Sequence, residues 1–356
     1  MPRLKKKLRS RKAGLPPGAL VHIGEIKTET PTLTLIDFSA DEFAEHELHN
    51  LAELDALPRG KGVRWLNVHG VHDANLLGAI GDRFGLHPLV IEDILNTDQR
   101  PKVDDYEEYS YIVVHLYNAA REQSDVSTDQ ISLVIGRDFV LTFQERPSGT
   151  FAPIRQRLRS DKGALRRIGS DYLTYSLLDA IVDSYFSVIE RFGERAEAVE
   201  EEILGRPQQT TLLRIHELKR QVMQLRRTLW PLRETLNALY HGQATFFRPE
   251  TQLYLRDVYD HTVHVLESLE DLRDLLTGLL DIYLTTVSNR VNVEVRRLTV
   301  VATLFMPATL IAGIFGMNFH QMPWLADPDG FSRTIGLMGS VALTMTLIFW
   351  YRRMLR

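Results

Sequence analysis

The sequence predicts an α/β domain, followed by long helices and a two-helix transmembrane domain. Three observations support this fold class. Short runs rich in Val, Ile, Tyr and Phe alternate with helical spacing up to about residue 145, strand signals stop after Pro153, and two uncharged apolar stretches lie near the C-terminal end. The overall composition, 44% hydrophobic and 25% charged, is typical of an ordinary soluble protein. The position of the apolar residues, rather than their number, therefore decides the class.

The charge balance and the absence of cysteine exclude several kinds of function. The chain has 42 Lys and Arg against 46 Asp and Glu, which gives a net charge of −4, and it contains no cysteine. A chain without a positive field does not gather phosphates, and one without thiols has no disulfide scaffold and no cysteine-type zinc site. Neither a GxxxxGK[ST] nor a GxGxxG motif occurs. We expect neither nucleic acid nor a nucleotide as a partner.

The first part of the chain reads as one sheet with helices. Four strands are predicted at residues 63–70, 109–118, 130–136 and 139–145, and helices are predicted at residues 73–84 and 88–95. The first twelve residues are basic but lack an apolar core, so we expect a mobile tail rather than a secretory signal.

Only helices are predicted after Pro153, with breaks at Pro207 and at residues 241–250. The stretch from residue 250 to about 315 contains no stop signal, so we expect a single helix that runs into the membrane. Within it, five apolar residues advance by 3, 4, 3 and 4, which predicts a seam that packs against another helix. These residues are Leu269, Leu272, Leu276, Leu279 and Tyr283.

Two uncharged stretches, residues 298–318 and 334–351, are long enough to span a bilayer as helices. Arginines flank their inner ends, at residues 296–297, 352–353 and 356, whereas residues 319–332 carry Asp327 and Asp329 but no basic side chain. The positive-inside rule then places both chain ends in the cytoplasm. The predicted organisation is a tail (1–20), a cytoplasmic α/β domain (21–150), a cytoplasmic helical segment (151–249), a stalk helix (250–297), a first span (298–318), an outer loop (319–333), a second span (334–351) and a basic cytoplasmic C-terminus (352–356).

One face of the first span and its approach is narrow and weakly polar. Close packing of small residues is one interpretation of it. The other is a pore lined by copies of this helix around a symmetry axis, because Asn and Thr inside a membrane need partners or water. This face carries Asn292, Val295, Leu298, Ala302, Met306, Thr309 and Gly313. The other faces carry Leu304, Phe305, Leu310, Ile311, Ile314 and Phe315, which suit lipid or a partner helix.

A three-residue motif, Gly316-Met317-Asn318, closes the first span. Its place there, after a long cytoplasmic part and before a second span, makes the sequence similar to the CorA family of divalent-cation channels. The resemblance extends over nearly the whole chain. It includes HPLVIEDILN (87–96), QRPKV (99–103), YSLLDAIVDSYF (175–186), YLRDVYDHT (254–262), LLDIYL (279–284) and FMPATLIAGIFGMN (305–318).

The resemblance implies a funnel-shaped homopentamer that carries Mg²⁺ inward across a prokaryotic plasma membrane, with Co²⁺ and sometimes Ni²⁺ as surrogates. It assigns the selectivity mouth to Gly316, Met317 and Asn318, and the pore lining to the narrow face described above. It also implies regulatory Mg²⁺ between subunits. The matching carboxylates are Asp93, Asp281 and, at a second site, Asp257.

The sequence departs from the family pattern in the outer loop. His320 and Trp324 stand where acidic residues are common, and Val295 stands where a pore Met is often found. We therefore expect the loop to concentrate cations less well.

Two alternatives stay open, a zinc transporter of the same superfamily and a nonconducting membrane-anchored Mg²⁺ sensor or scaffold. Met317 favours the magnesium branch over the zinc branch. An enzyme is not expected, because residues 46–49 (HELH) are one residue short of HExxH, and His261 and His264 lack a recognisable third ligand.

Overall fold

The computed structural model describes residues 14, 16–118, 127–160, 164–205, 207–242, 244–317, 322–324 and 327–352. Contacts divide the chain into two compact units. The first comprises residues 1–199 and 213–277, and the second comprises residues 200–212 and 278–356. The domain boundaries expected from the sequence stay predictions.

The first unit contains a seven-stranded sheet. The strands are β1 (Thr32–Phe38), β2 (Phe43–Leu48), β3 (Val63–His69), β4 (Lys102–Asp105), β5 (Tyr109–Asn118), β6 (Ser127–Gly136) and β7 (Phe139–Gln144), in the order β2-β1-β3-β7-β6-β5-β4. β3 and β7 are parallel, with Leu66 opposite Leu141, and the other neighbours are antiparallel. The four predicted strands are confirmed as β3, β5, β6 and β7, while β1, β2 and β4 were not predicted.

Helices cover both faces of this sheet. Three of them, α1 (Ala52–Ala56), α2 (Ala74–Phe84) and α3 (Pro88–Leu95), share one core with strand residues such as Leu66 and Phe143. The opposite face is covered by α4 (Ala152–Arg159), α5 (Leu165–Ile168) and the first part of α6 (Ser170–Gly205). There Trp65 packs edge-on against Phe151 at 6.3 Å, and the Tyr185 hydroxyl donates to the His115 carbonyl at 2.8 Å.

Local sequence explains where α3 begins and how it is held. Pro88 occupies the first turn, where no backbone donor is needed, and the His87 ring accepts a hydrogen bond from the Leu89 amide at 3.2 Å. At its other end, Ile23 of the N-terminal segment donates to the Leu95 carbonyl at 3.0 Å. α3 is therefore fixed at both ends, which positions Asp93 in its last turn.

Two further long helices follow α6, namely α7 (Gln209–Tyr240) and α8 (Pro249–Phe315). α8 is one unbroken helix of 67 residues, as the sequence predicts. All five residues of the predicted seam are buried, Leu269 and Leu276 completely. Within the first unit, α7 and α8 also meet through Lys219 and Thr277 at 2.9 Å and through Arg226 and Glu270 at 2.6 Å.

The second unit contains the end of α8 and α9 (Gly330–Tyr351). Both helices are long and apolar enough to cross a membrane, and only 6% of the most apolar window of each is buried. Along α8 from Leu284 to Phe315, a stretch that the structure describes completely, Val300 alone is buried. The described part of the chain therefore covers the apolar end of α8 only in part.

A buried carboxylate sets the register of α8 on α6 in the first unit. Asp171, 3% exposed, accepts hydrogen bonds from Arg248 Nη2 at 2.6 Å, Arg248 Nε at 2.9 Å and Thr251 Oγ1 at 2.7 Å. Burial alone raises the pKa of Asp171, but these hydrogen bonds outweigh it and lower the pKa overall. The stability that the ion pair supplies is therefore present above the ordinary pKa and is lost as the pH falls through the lowered value.

We predict that Asp171→Asn lowers the free energy of unfolding by about 2 kcal/mol at pH 7, less than for a fully buried pair because Arg248 is half exposed. The loss should shrink as the pH falls below about 4, and thermal unfolding of the purified protein measures both values. Asp138→Asn, which breaks an exposed pair with Arg59, is the control and should cost less than about 0.5 kcal/mol. Equal losses in the two variants would contradict the prediction.

Candidate functional site

Five residues from the predicted pore face and mouth line one continuous groove on α8. They are Ala302, Met306, Thr309, Gly313 and Met317. The small side chains on this face create the depression, and the helical repeat places these positions on one side of the helix. The other wall is apolar and consists of Phe305, Leu310 and Ile314. The groove is thus wider and more apolar than the sequence predicts, because residues assigned to other faces also line it.

The three remaining predicted pore residues lie nearer the N-terminal end of α8. Asn292, Val295 and Leu298 do not line the groove, and all three are exposed in the single chain. Val295 and Leu298 are 56% and 71% exposed. Apolar side chains at this exposure require a covering surface, which no part of the described chain supplies.

Thr309 is the polar side chain in the groove. Its Oγ1 donates to the Phe305 carbonyl at 2.9 Å. Because the hydroxyl proton is used within the helix, the oxygen lone pairs are left to accept hydrogen bonds from the groove side. Thr309 can therefore offer an acceptor to the water shell of a cation.

Pro307 lies inside α8, one residue from Met306. A proline has no backbone N–H, so the Thr303 carbonyl one turn earlier loses its helical donor. Pro307 is not among the predicted pore residues, although a proline inside a helix is a recognisable signal. It weakens the helix at the level of the groove.

The helix ends at the predicted mouth. The Gly316 amide donates to the Ala312 carbonyl at 2.9 Å, and a Cβ at Gly316 would lie 3.1 Å from the same oxygen. Glycine thus allows the last turn of the helix to pack closely against the Ala312 carbonyl. Met317, which follows it, is 53% exposed. Asn318, the third residue of the motif, lies outside the described residues.

The described part of the outer loop folds back on the helix. Trp324 stacks on Phe315, with ring centroids 6.2 Å apart, and has a positive φ of 69°. Arg333 in the first turn of α9 pairs with Asp327 at 2.5 Å. One of the two loop carboxylates is therefore already neutralised, and His320 lies outside the described residues.

Asp93 is engaged within its own unit. Its Oδ1 accepts a hydrogen bond from Gln99 Nε2 at 2.5 Å, and its Oδ2 pairs with Lys102 Nζ at 2.7 Å. Lys102 also contacts Asp104. Asp93, Lys102, Asp104 and Asp105 face one open pocket on the first unit.

Asp257 lies in a second group of acidic residues, which two helices bring together. On α6, Asp179 and Asp183 are one helical turn apart, and on α8 Asp257 and His261 have the same spacing. One ligand atom each of Asp179, Asp183 and His261 lies within 4.8 Å of the others. Asp257 Oδ2 is 3.9 Å from His261 Nε2. Burial, and next the Asp183 charge, raise the pKa of Asp179 to about 6.

No third ligand for His261 and His264 is recognisable in the sequence, and the structure brings Asp179 and Asp183 close to His261. Its partners lie about eighty residues away on another helix, so no local motif reveals them. His261 Nδ1 is buried without a hydrogen-bond partner in the described part of the chain, at 3.8 Å from Asp183. The spacing of Asp179 and Asp183 was the signal available in the sequence. His264 instead lies 3.9 Å from Glu267.

Asp281 lies in the second unit and is exposed. Its backbone carbonyl accepts the Thr285 hydroxyl at 2.9 Å, and its carboxylate has no hydrogen bond or ion pair with a described residue. Asp281 is thus free to face another molecule.

Comparisons with known proteins agree with this architecture. The family described as CorA-like Mg²⁺ transporter protein matches residues 60–353. The cobalt/magnesium transport protein CorA of Thermotoga maritima is 40% identical over 346 residues, which cover 97% of this chain and 98% of that protein. The chain belongs to the CorA family. The structure of the CorA magnesium transporter from Methanocaldococcus jannaschii superposes with a TM-score of 0.75, at 21% identity, over 90% of this chain and 98% of that chain.

This match confirms the resemblance and the fold class. The CorA-family chain has the α/β N-terminal part, the long helix and two candidate membrane-spanning helices. The roles of individual pore and cation-site residues stay predictions.

The raised pKa of Asp179 predicts how stability changes with pH. The Asp179 carboxyl group binds its proton more tightly in the folded state than in the unfolded chain. The ionised carboxylate therefore destabilises the fold above about pH 6, and it has no effect below about pH 4. With EDTA present, we expect Asp179→Asn to raise the free energy of unfolding at pH 7.5 by about 1–3 kcal/mol and to change nothing at pH 4. Thermal unfolding at the two pH values measures this.

Asp260→Asn serves as the control, because Asp260 is exposed on α8 and lies 4.0 Å from Arg256. It should change stability little at either pH. An Asp179→Asn variant that is destabilised at both pH values would contradict the assigned pKa.

Proposed function

We propose that copies of this chain assemble, as a homopentamer, into a channel that carries Mg²⁺ inward across the plasma membrane, with Co²⁺ and sometimes Ni²⁺ as surrogates. The observation that carries the proposal is the groove on α8. A membrane helix that presents Thr309 and Gly313 along one depression, where the described part of the chain leaves both exposed, fits a water-filled path between symmetric copies. Both chain ends then lie in the cytoplasm.

The mouth suits an ion that keeps its water. Mg²⁺ dehydrates reluctantly, so neutral oxygens that bind its water shell discriminate better than a tight carboxylate cage. In our proposal the Gly316 carbonyl and the Asn318 amide oxygen supply these acceptors, with Met317 between them. The pairing of Asp327 with Arg333 leaves little negative charge in the described part of the loop, which favours recognition by neutral groups.

Below the mouth, the hydrated ion meets Thr309 and Gly313 and then the apolar side chains of Met306, Ala302 and Leu298. The Thr309 oxygen accepts from the water shell, because its proton is already donated to Phe305. Rings of Met and Leu form a collar that a hydrated divalent ion crosses only when it widens. Pro307, which removes one helical hydrogen bond at this level, lowers the cost of such widening. The path then passes Val295 and ends at Asn292.

The membrane potential is sufficient to drive the ion. A charge that crosses 100 mV gains about 2.3 kcal/mol, so a divalent ion gains about 4.6 kcal/mol when the cell interior is negative. No nucleotide is required for this movement.

Cytosolic Mg²⁺ provides feedback in this proposal. The carboxylates of Asp179 and Asp183, with the His261 nitrogen that lacks a hydrogen bond, fit a divalent cation by donor type, and Asp257 lies beside His261. The exposed Asp281 and the partly buried Asp93 would hold another between neighbouring subunits. Such carboxylates repel one another until a cation neutralises them, so the loss of Mg²⁺ loosens the interfaces and favours opening.

Two threonines of α8 provide a matched test. Thr309 and Thr303 both donate to the carbonyl four residues earlier, but only Thr309 lines the groove. We predict that Thr309→Val lowers Mg²⁺ uptake into proteoliposomes under an inside-negative potential by about tenfold, the effect of one lost hydrogen bond. Thr303→Val should stay within about twofold of wild type, and Asn318→Ala should abolish uptake while the oligomer stays intact.

Three results would contradict the proposal. Equal effects of the two threonine variants would remove the groove from the ion path. Zn²⁺ transport that depends on a proton gradient, without Mg²⁺ uptake, would favour the zinc branch. No flux of any ion through an intact wild-type oligomer would favour a sensor or scaffold.

A further inference from the structure

Asp93, an expected cation ligand, has both carboxylate oxygens in contact with side chains of its own chain. Gln99 Nε2 donates to Oδ1 at 2.5 Å, and Lys102 Nζ pairs with Oδ2 at 2.7 Å. A divalent ion that binds this carboxylate directly has to replace one of these groups. The ammonium is the group that carries the competing positive charge.

Lys102 has a second carboxylate within reach. It opens β4, the strand at one edge of the sheet, and its ammonium also contacts Asp104 two residues later. The Lys102 side chain is 33% exposed, and those of Asp93 and Asp104 are 21% and 39% exposed. The ammonium can therefore leave Asp93 without being left unpaired, because Asp104 still holds it.

The surroundings of Lys102 keep it charged. Its ammonium contacts the carboxylates of both Asp93 and Asp104. The ring of Tyr111 lies below the ammonium, with its centroid at 5.6 Å. The ammonium thus lies between two carboxylates and the face of an aromatic ring, all of which stabilise a positive charge.

The pocket gives an ion access to this pair. Asp93, Lys102, Asp104 and Asp105 line it on the polar side, and Leu89 and Tyr106 line it on the apolar side. The Asp105 carboxylate already accepts hydrogen bonds from Thr245, from the amide at 3.3 Å and from the hydroxyl at 2.5 Å. Asp93 and Asp104 are the two carboxylates that share Lys102.

We propose that Lys102 is a tethered cation that competes with Mg²⁺ for Asp93. In the absence of Mg²⁺ the ammonium neutralises Asp93, and when Mg²⁺ binds there the ammonium shifts to Asp104 alone. Asp93 therefore has a positively charged partner both with and without Mg²⁺. Because of this, Mg²⁺ binding relieves less electrostatic repulsion than it would between two unpaired carboxylates. Lys102 thereby weakens Mg²⁺ binding and raises the Mg²⁺ concentration at which the site fills. This inference rests on the proposed regulatory role of Asp93.

The test is a Mg²⁺ titration of the full-length protein in detergent, with the thermal unfolding midpoint as the signal. We predict that Lys102→Met lowers the half-saturating Mg²⁺ concentration by about three- to tenfold, since a competing partner is removed. Lys102→Gln should act in the same direction, and it keeps the test valid if the methionine variant does not fold. Lys102→Arg, which retains the charge, should not lower the half-saturating concentration.

Lys61→Met is the matched control, because it makes the same change in net charge. Lys61 is exposed and precedes β3, which three strands separate from β4, a distance of about 19 Å. We expect it to leave the half-saturating Mg²⁺ concentration within about twofold of wild type. In an Asp93→Asn background, Lys102→Met should have no effect, because the shared carboxylate is gone.

Two outcomes would overturn the inference. One is a decrease in the half-saturating Mg²⁺ concentration in Lys102→Met and Lys102→Gln that is no larger than the change in Lys61→Met. The other is a decrease caused by Lys102→Met that persists in the Asp93→Asn background. Neither outcome bears on the flux experiment. Suppose that the protein conducts Mg²⁺ and that its unfolding midpoint depends on Mg²⁺ through Asp93 but not through Lys102. The proposed function would then stand, and the role of Lys102 as a tethered cation would be wrong.

Discussion

The continuous hydrogen-bonded backbone of α8 is the constraint on which the rest of the structure depends. A helix satisfies its own backbone groups and can therefore enter a membrane without a partner for each amide. Its side chains differ along its length. The seam up to Tyr283 is buried within the chain, whereas from Leu284 to Phe315 Val300 alone is buried. The first part of α8 is thus held by its own chain, and in the proposed channel lipid and other copies cover the last part.

In our proposals, charge pairing organises the two candidate cation sites in different ways. Asp179 and Asp183 lie close to His261, and burial and the Asp183 charge raise the pKa of Asp179 against the opposing effect of His261. Asp93 instead lies against Lys102. A divalent ion relieves repulsion at the first group and displaces an ammonium at the second. The two sites should therefore fill at different cation concentrations, which allows a graded response of the assembly.

Sequence patterns predicted the most apolar strands but missed β1 (TLTLIDF), although its apolar residues alternate, and both edge strands. β3, β5, β6 and β7 are apolar runs, whereas β2 (FAEHEL) and β4 (KVDD) are charged edge strands whose formation depends on pairing with a neighbour. The narrow face of the first span follows from helical spacing, and four of its seven residues line the observed groove. The contacts of His261 and Lys102 could not be predicted, because they depend on how separate elements pack.

The central claim is that the groove on α8 faces water in the assembled channel. The chain contains no cysteine, so a single introduced cysteine is the only thiol. We would measure Mg²⁺ uptake by Ala302→Cys and Met306→Cys before and after a positively charged methanethiosulfonate reagent, with Leu304→Cys and Ile311→Cys as controls outside the groove. The account predicts that the reagent blocks uptake in the first two variants and not in the controls. Block of the controls alone, or of all four alike, would contradict it.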